Sequence, residues 1–362
     1  MNKKWYRLFF FAPLLAILII TNIYEDPANI FHDDSAAMAD AILEGHDVYF
    51  GSGNGDERAV KQRIIEGMPK HIGCLTMGPS LSMGIRKANV GTESYYNLSA
   101  SGLNFYDYLA EFGLLELNGV QVDRIVLCVD SYFFDENMYS SGSRNPDMMQ
   151  YANYMLDILD GVEHEQPTEN KIEQFELKLS QAFSLTYFQS SVALVQNNNS
   201  YVLPNKRWGI MDVSTENLAH YLSDASWVYA LDYRSKTEED VLNESASYAI
   251  ETQFCKGEHI SEYSLTTFIK LIKYLKGKNV EIEFYLCPLA PALWDRLQSA
   301  QEGNQYYILD ELENFALDLA DDYDIKVTGS YNPYNIGITN SDFWDARHVR
   351  HDKLELYFDF ME

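Results

Sequence analysis

RIVLCVDS, residues 124–131, is the stretch that decides the fold, because it is an almost unbroken apolar run that ends in two polar residues. Strands of a parallel sheet are covered on both faces and therefore lack polar alternation. Three other stretches, HIGCLTM (71–77), VEIEFYLCP (280–288) and DIKVTG (324–329), are also predicted as strands, within a recurrent pattern of short apolar runs that end in small or polar residues. SYYNLSASG (94–102) is predicted as a further strand that ends in small residues.

Segments with helical spacing of apolar residues separate these strands. They are predicted at 36–43, 58–67, 104–117, 265–276, 311–321 and 354–361. Strands that alternate with helices predict an α/β fold with a doubly wound, mostly parallel sheet in a three-layer sandwich.

We expect this α/β domain to span residues 71–362, after a lead-in at 25–70 that contains a short strand and turn, VYFGSGNG (48–55). The stretch from about 135 to 255 interrupts the alternation and is rich in Asn, Ser, Tyr and Glu. Its helical signals are weak. It is therefore predicted to be a long insertion packed beside the sheet.

An uncharged apolar run occupies residues 8–24, close to the start of the chain. Three basic residues precede it, and Glu25 is the first charge that follows. The run is near the short limit for a helix that spans hydrocarbon, and the basic side of such a helix stays inside. The sequence therefore predicts a transmembrane anchor at 8–24, a cytoplasmic tail at 1–7 and an extracytoplasmic remainder. A cleaved signal peptide is the alternative.

The net charge excludes one large class of partners. The chain carries 54 acidic and 27 basic residues, for a formal net charge of −27. Such a surface repels phosphate backbones, so we expect no nucleic acid among the partners. A cationic or zwitterionic glycopolymer is compatible with this charge.

The four cysteines indicate neither a metal site nor a disulfide framework. Cys74, Cys128, Cys255 and Cys287 contain no CxxC pair, and no Cys/His spacing suits zinc. A single disulfide bond between two of these cysteines remains an alternative if the chain lies in an oxidising compartment. We expect neither a metal nor another cofactor.

Reactive residues follow several of the predicted strands. Ligands of an open α/β sheet bind beyond the carboxyl ends of its strands, so residues at these positions converge at one edge. The residues at these positions are Ser80, Gly102, Asp130, Ser131, Asp345 and His348.

Three short motifs among these residues resemble the blocks of the SGNH (GDSL-like) esterase and acyltransferase superfamily. MGPS (77–80) resembles the nucleophile block, SASG (99–102) the block with an oxyanion-hole glycine, and DARH (345–348) the Asp-x-x-His block. The order of the blocks along the chain also agrees with the family. The resemblance covers roughly residues 70–134 and 279–362.

The resemblance implies a role for each of four residues. Ser80 would be the nucleophile, His348 the general base and Asp345 the carboxylate that orients the base. The backbone amides of Ser80 and Gly102 would bind the oxyanion. Two alternatives remain open, in which Ser80 only caps a helix and His351 replaces His348 as the base.

Two blocks depart from the family pattern. The usual Gly-Asp-Ser reads Gly-Pro-Ser here, and the third strand ends without the family's Asn. Asp130 and Ser131 stand there instead. A carboxylate that faces an oxyanion is unfavourable, so either Ser131 donates to the oxyanion or only backbone amides do.

The segment YEDPANIF (24–31) resembles the juxtamembrane stretch of Gram-positive envelope proteins of this superfamily. Similar anchored proteins take part in lipoteichoic acid D-alanylation and alginate O-acetylation. The resemblance implies a serine acyl esterase or O-acyltransferase that acts on an envelope polysaccharide or teichoic acid, together with a multispanning membrane acyltransferase. The alternatives are a non-catalytic partner that binds glycan or recruits that acyltransferase, and a plain secreted hydrolase.

Overall fold

The computed structural model describes most of the chain. The described residues are 3–27, 30–32, 34–50, 57–135, 148–163, 166–167, 171–196, 208–250, 254, 260–302 and 307–358. The predicted turn after residue 50, parts of the predicted insertion and the last residues of the predicted final helix lie outside these ranges.

Nine strands are present in the described ranges. They are β1 (Val48–Phe50), β2 (His71–Met77), β3 (Tyr95–Asn97), β4 (Gln121–Val129), β5 (Trp208–Ile210), β6 (His220–Tyr221), β7 (Trp227–Val228), β8 (Glu281–Leu286) and β9 (Lys326–Gly329).

Fifteen α-helices accompany these strands in the same ranges. They are α1 (Lys3–Glu25), α2 (Asp34–Leu43), α3 (Glu57–Gly67), α4 (Lys87–Val90), α5 (Phe105–Leu117), α6 (Met149–Asp160), α7 (Lys171–Ala182), α8 (Leu185–Gln196), α9 (Leu231–Arg234), α10 (Glu238–Ser247), α11 (Glu262–Gly277), α12 (Pro291–Glu302), α13 (Leu309–Tyr323), α14 (Pro333–Ile336) and α15 (His351–Phe358).

The central sheet has five parallel strands flanked by helices, in the order β3-β2-β4-β8-β9. This confirms the predicted α/β class and the parallel sheet. Numbered along the chain, the order is 2-1-3-4-5, which reverses direction between β2 and β4. Ligand sites of such sheets form at this switch point, beyond the carboxyl ends of the strands.

Strand β4 shows why apolar runs mark these strands. Residues 125–129 are all buried, and the neighbouring residues of β2 and β8 are buried as well. With both faces covered, alternating polar residues would lose their hydration. β3 is shorter than predicted, because only Tyr95–Asn97 pairs with β2. The SASG motif that follows it forms a loop at the edge of the sheet.

A second, antiparallel sheet joins two regions that the sequence separates. Its order is β5-β1-β6-β7, so the lead-in supplies β1 and the predicted insertion supplies the other three strands. The insertion also contains helices that its sequence signals only weakly. α6 is one of them, and its buried side chains Tyr151, Ala152 and Met155 pack on the central domain. Tertiary packing thus outweighs the modest helix propensity of this segment.

The N-terminal helix α1 covers the predicted anchor at residues 8–24. Among the residues described here, however, none of the helices is both long enough and apolar enough to cross a membrane. The structure therefore does not show the predicted transmembrane anchor. The end of α1 is held by Asn22, whose side-chain amide donates to the carbonyls of Gln181, Ala182 and Ser184.

Candidate active site

Ser80 lies just beyond the carboxyl end of β2, at the start of a 3-10 turn, Ser80–Ser82. The buried Asn97 holds this turn, since its side-chain amide donates to the carbonyls of Ser82, Met83 and Ile85. Pro79, and not Ser80, occupies the cap position of the turn. The Ser80 hydroxyl is thus left free of a capping role and faces the C-terminal segment.

Ser80, His348 and Asp345 form one continuous hydrogen-bonded chain. The Ser80 Oγ is 2.9 Å from His348 Nε2, and His348 Nδ1 is 2.8 Å from Asp345 Oδ2. Ser80 and His348 are 268 positions apart in the sequence, so only the fold brings them together. A nucleophile, a base and an orienting carboxylate in this order are what serine acyl chemistry requires.

Asp345 is held as a carboxylate by its surroundings. Its Oδ1 accepts the backbone amides of Arg347 and His348, each at 2.7 Å. Burial raises the pKa of Asp345, but the facing His348 and the hydrogen bonds from His348, Tyr233 and the Arg347 amide hold it well below its ordinary value. An ionised Asp345 keeps the Nδ1 proton on His348 and leaves Nε2 to accept from Ser80.

Tyr233 is a site residue that the sequence did not reveal. Its hydroxyl donates to Asp345 Oδ2 and lies 3.3 Å from His348 Nδ1. Burial and the nearby Asp345 charge raise the pKa of Tyr233 far above its ordinary value, so the hydroxyl stays a donor. Tyr233 lies on α9 inside the predicted insertion and stacks on Tyr229, and no local motif indicates this role.

Two backbone amides are available for an oxyanion. Ser80 and Gly102 line the same cleft, and their amides donate to no acceptor in the part of the chain that the structure describes. Gly102 has φ +57°, in the left-handed region that favours glycine. Arg58 fixes this loop, since its guanidinium donates to the carbonyls of Ser101 and Gly102. The start of α3 thus positions the SASG motif (99–102). The sequence did not indicate this role of α3.

Asp130 and Ser131 take different positions at the end of β4. Asp130 lines the cleft, and its Oδ2 accepts the Arg347 guanidinium at 3.0 Å. Its Oδ1 accepts the Tyr132 amide at 2.9 Å and the Ser131 hydroxyl at 3.3 Å. The charge of the Asp130 carboxylate is therefore balanced by Arg347. The Ser131 hydroxyl points to Asp130, and Ser131 is not among the residues that line the cleft.

His351, the alternative base, packs in an aromatic cluster whose Tyr229 ring also contacts His348 and Tyr233. Its Nδ1 is 2.8 Å from the Arg86 guanidinium, and its ring packs on Trp344 and Tyr229. Burial and the neighbouring Arg86 charge hold the pKa of His351 well below its ordinary value. No contact joins it to Ser80 among the described residues, so His348 alone has the geometry of a base.

The cleft over Ser80 has a volume of about 320 Å³. Besides the residues above, Leu81, Leu103, Tyr132, Glu244 and Tyr248 line it. No group of three or more His, Cys, Asp or Glu residues that could hold a metal occurs within the described ranges. What the cleft offers is a serine, a base and backbone donors.

No protein-family model matches this chain, and no curated protein is significantly similar to it. The chemistry of the site therefore has to be inferred from its geometry and from the short motifs that supply its residues.

Proposed function

We propose that this chain is a membrane-anchored serine acyl esterase or O-acyltransferase of the SGNH type, which acts on a cell-envelope glycopolymer. The observation that carries the proposal is the hydrogen-bonded chain from Ser80 through His348 to Asp345. The strand order of the parallel sheet and the position of Ser80 at its switch point also support an SGNH fold.

The first half of the reaction forms an acyl-enzyme. Ser80 Oγ attacks the acyl carbonyl while His348 Nε2 takes its proton. Negative charge develops on the carbonyl oxygen, and the amides of Ser80 and Gly102 stabilise it by a few kcal/mol per donor, about 3 in typical cases. His348 then returns the proton to the leaving oxygen, and Asp345 stabilises the imidazolium in between.

The second half decides between hydrolysis and transfer. His348 deprotonates either a water molecule or a sugar hydroxyl, and that oxygen attacks the acyl-enzyme. A sugar bound in the cleft would displace water from the acyl group and favour transfer.

The lining of the cleft suits a neutral or cationic sugar better than an anionic one. The lining contains three carboxylates, from Asp130, Glu244 and Asp345, and the guanidinium of Arg347. The chain as a whole is also strongly acidic. Tyr132 and Tyr248 offer flat apolar faces with a hydroxyl, which suit sugar rings. The volume is at the low end for ligand sites, of about 300–1,000 Å³, and fits an acyl group with part of a polymer.

We propose that α1 attaches the chain to the membrane, with residues 1–7 inside and the α/β domain outside. The uncharged run and the basic residues before it support this proposal. Large apolar side chains of α1 are also exposed, including Phe11, Leu14 and Ile20 at 66%, 59% and 64%. So much apolar surface on one helix is unfavourable in water, and contact with lipid or with a multispanning acyltransferase would remove it from water.

A second candidate function is a non-catalytic partner that binds glycan or recruits such an acyltransferase. The ion pair between Asp130 and Arg347 favours it, because this pair stands where the SGNH family places an oxyanion-donating Asn. A weakened oxyanion hole would leave binding intact while reducing turnover.

Hydrolysis of a chromogenic acetyl ester by the full chain in mild detergent tests the proposal. We expect Ser80→Ala and His348→Ala to reduce kcat by at least about 10³-fold. Ser101→Ala, on the neighbouring loop, is the matched control and should keep most of the activity. Hydrolysis that is unchanged in Ser80→Ala would refute Ser80 as the nucleophile, and none in any variant would favour the non-catalytic partner.

A further inference from the structure

Two cysteine thiols meet at the carboxyl ends of the neighbouring strands β4 and β8. The sulfur atoms of Cys128 and Cys287 are 3.1 Å apart, although the residues are 159 positions apart in the sequence. Both side chains are buried, with exposures of 1% and 3%. Neither residue takes part in the proposed acyl chemistry.

The sheet itself brings these thiols together. Strands β4 and β8 are parallel neighbours, and Cys128 is paired in register with Tyr285. Successive side chains of a strand alternate between faces, so Cys287, two residues beyond Tyr285, lies on the same face as Cys128. Both belong to one apolar cluster with Phe343 and Val349 of the C-terminal segment.

We propose that Cys128 and Cys287 form a disulfide bond when the chain folds in an oxidising compartment, a location that rests on the proposed function. The two thiols lose two protons and two electrons to a disulfide-bearing oxidant, which is reduced to two thiols. A disulfide bond is about 2.05 Å long, so the sulfur atoms need to approach by about 1 Å.

The bond forms before the C-terminal segment covers the sheet. Thiolates react and thiols do not, and burial raises the pKa of Cys287 well above its ordinary value. In the completed fold the pair is thus protected from oxidants and, once linked, from reductants. Phe343 and Val349 pack in the same buried cluster as the cysteines, so the thiols are accessible until these residues dock.

The Cys128–Cys287 disulfide bond would stabilise the edge of the central sheet at which the candidate active site lies. Cys128 is two residues before Asp130, which is bound to Arg347. Cys287 is three residues before Ala290, whose amide donates to the Ala346 carbonyl between Asp345 and Arg347. A covalent link between the ends of β4 and β8 therefore limits relative movement of the segments around the cleft.

Oxidative refolding with peptide mapping tests the proposal. The full chain in detergent is reduced, unfolded and refolded with either oxidised or reduced glutathione, and free thiols are then alkylated in denaturant. We expect a linked Cys128–Cys287 peptide only after oxidative refolding, and a Tm roughly 5 °C or more above that of the reduced protein. Cys74→Ser is the matched control and should keep the linked peptide, whereas Cys128→Ala should lose both the link and the gain in Tm.

If Cys128 and Cys287 of the wild-type protein are both found alkylated after refolding in oxidised glutathione, they were not linked and the proposal is overturned. A disulfide bond from either cysteine to Cys74 or Cys255 would also overturn it. The readout is mass and not activity. A linked protein that hydrolyses no ester counts against the proposed function alone, and an active protein without the link counts against this inference alone.

Discussion

At the scale of single residues, Asp345 is the group on which the site depends most. One of its oxygens accepts two backbone amides, and the other accepts both His348 and Tyr233. The first oxygen fixes the position of the carboxylate, and the second fixes the His348 ring. Because the second oxygen is shared, Tyr233 moderates how strongly Asp345 attracts the imidazolium.

Tyr233→Phe should lower kcat for ester hydrolysis roughly tenfold, about 1.4 kcal/mol, because Asp345 loses a hydrogen bond that helps to hold it in position to orient His348. Loss of the donor leaves more negative charge on Asp345, so the acid limb of the kcat/KM profile should move to higher pH. A purely structural role for Tyr233 would change kcat without moving this limb. Tyr229→Phe is the matched control, because the Tyr229 ring stacks on Tyr233 without contacting Asp345 through its hydroxyl.

At the scale of elements, separate segments are joined by a few buried charged groups. Arg347, in the C-terminal turn, pairs with Asp130 at the end of β4, and their side chains are only 14% and 4% exposed. Asp130→Ala should lower the free energy of unfolding by about 3–5 kcal/mol, because it leaves a buried guanidinium unpaired. Chemical denaturation measures this loss. The double variant Asp130→Leu/Arg347→Met should lose less, and equal losses in both would contradict the pairing.

Lys61 joins helix α3 to both sheets. Its ammonium donates to the carbonyls of Asn97, at the end of β3, and of Ala225, in the turn between β6 and β7. Burial lowers the pKa of Lys61 to about 8, against the opposing effect of nearby carboxylates. The unfolded chain keeps this proton up to about pH 10.4.

Stability should therefore depend on Lys61 in alkaline solution. Between about pH 8 and pH 10 the folded protein has released a proton that the unfolded chain still binds, so the free energy of unfolding rises with pH. The rise attributable to Lys61 is up to about 3 kcal/mol, at about 1.4 kcal/mol per pKa unit. Denaturation at several pH values measures it as the difference between wild type and Lys61→Met. A difference that stays flat or falls over this range would contradict the buried, partly deprotonated lysine.

At the scale of the whole molecule, the sequence predicted the central sheet better than its surroundings. Long apolar runs such as 124–129 mark strands buried on both faces, and these runs coincide with β2, β4 and β8. The predicted strand DIKVTG contains β9, which lies at the edge of the sheet and is only partly buried. The second sheet was predicted only in part. A short strand was expected in VYFGSGNG (48–55), where β1 lies, but the other three strands have two or three residues each and are too short to show any periodicity.

The site shows the same division. Ser80, Gly102, Asp345 and His348 were predicted because they follow strands and stand in short motifs. Tyr233 was not, because it reaches Asp345 from 112 positions earlier in the chain through tertiary packing. The pairing of Asp130 with Arg347 was likewise not predicted, because the two residues are 217 positions apart and no sequence motif links them.

The most direct test of the triad is covalent labelling of Ser80. The full chain is incubated with a fluorophosphonate, a probe that reacts with serines activated by a base, and the adduct is located by peptide mass spectrometry. We expect one adduct, on Ser80, that is absent in Ser80→Ala and at least about 100-fold slower to form in His348→Ala. A wild-type protein that stays unlabelled, or a label that persists elsewhere when Ser80 is replaced, would contradict the triad.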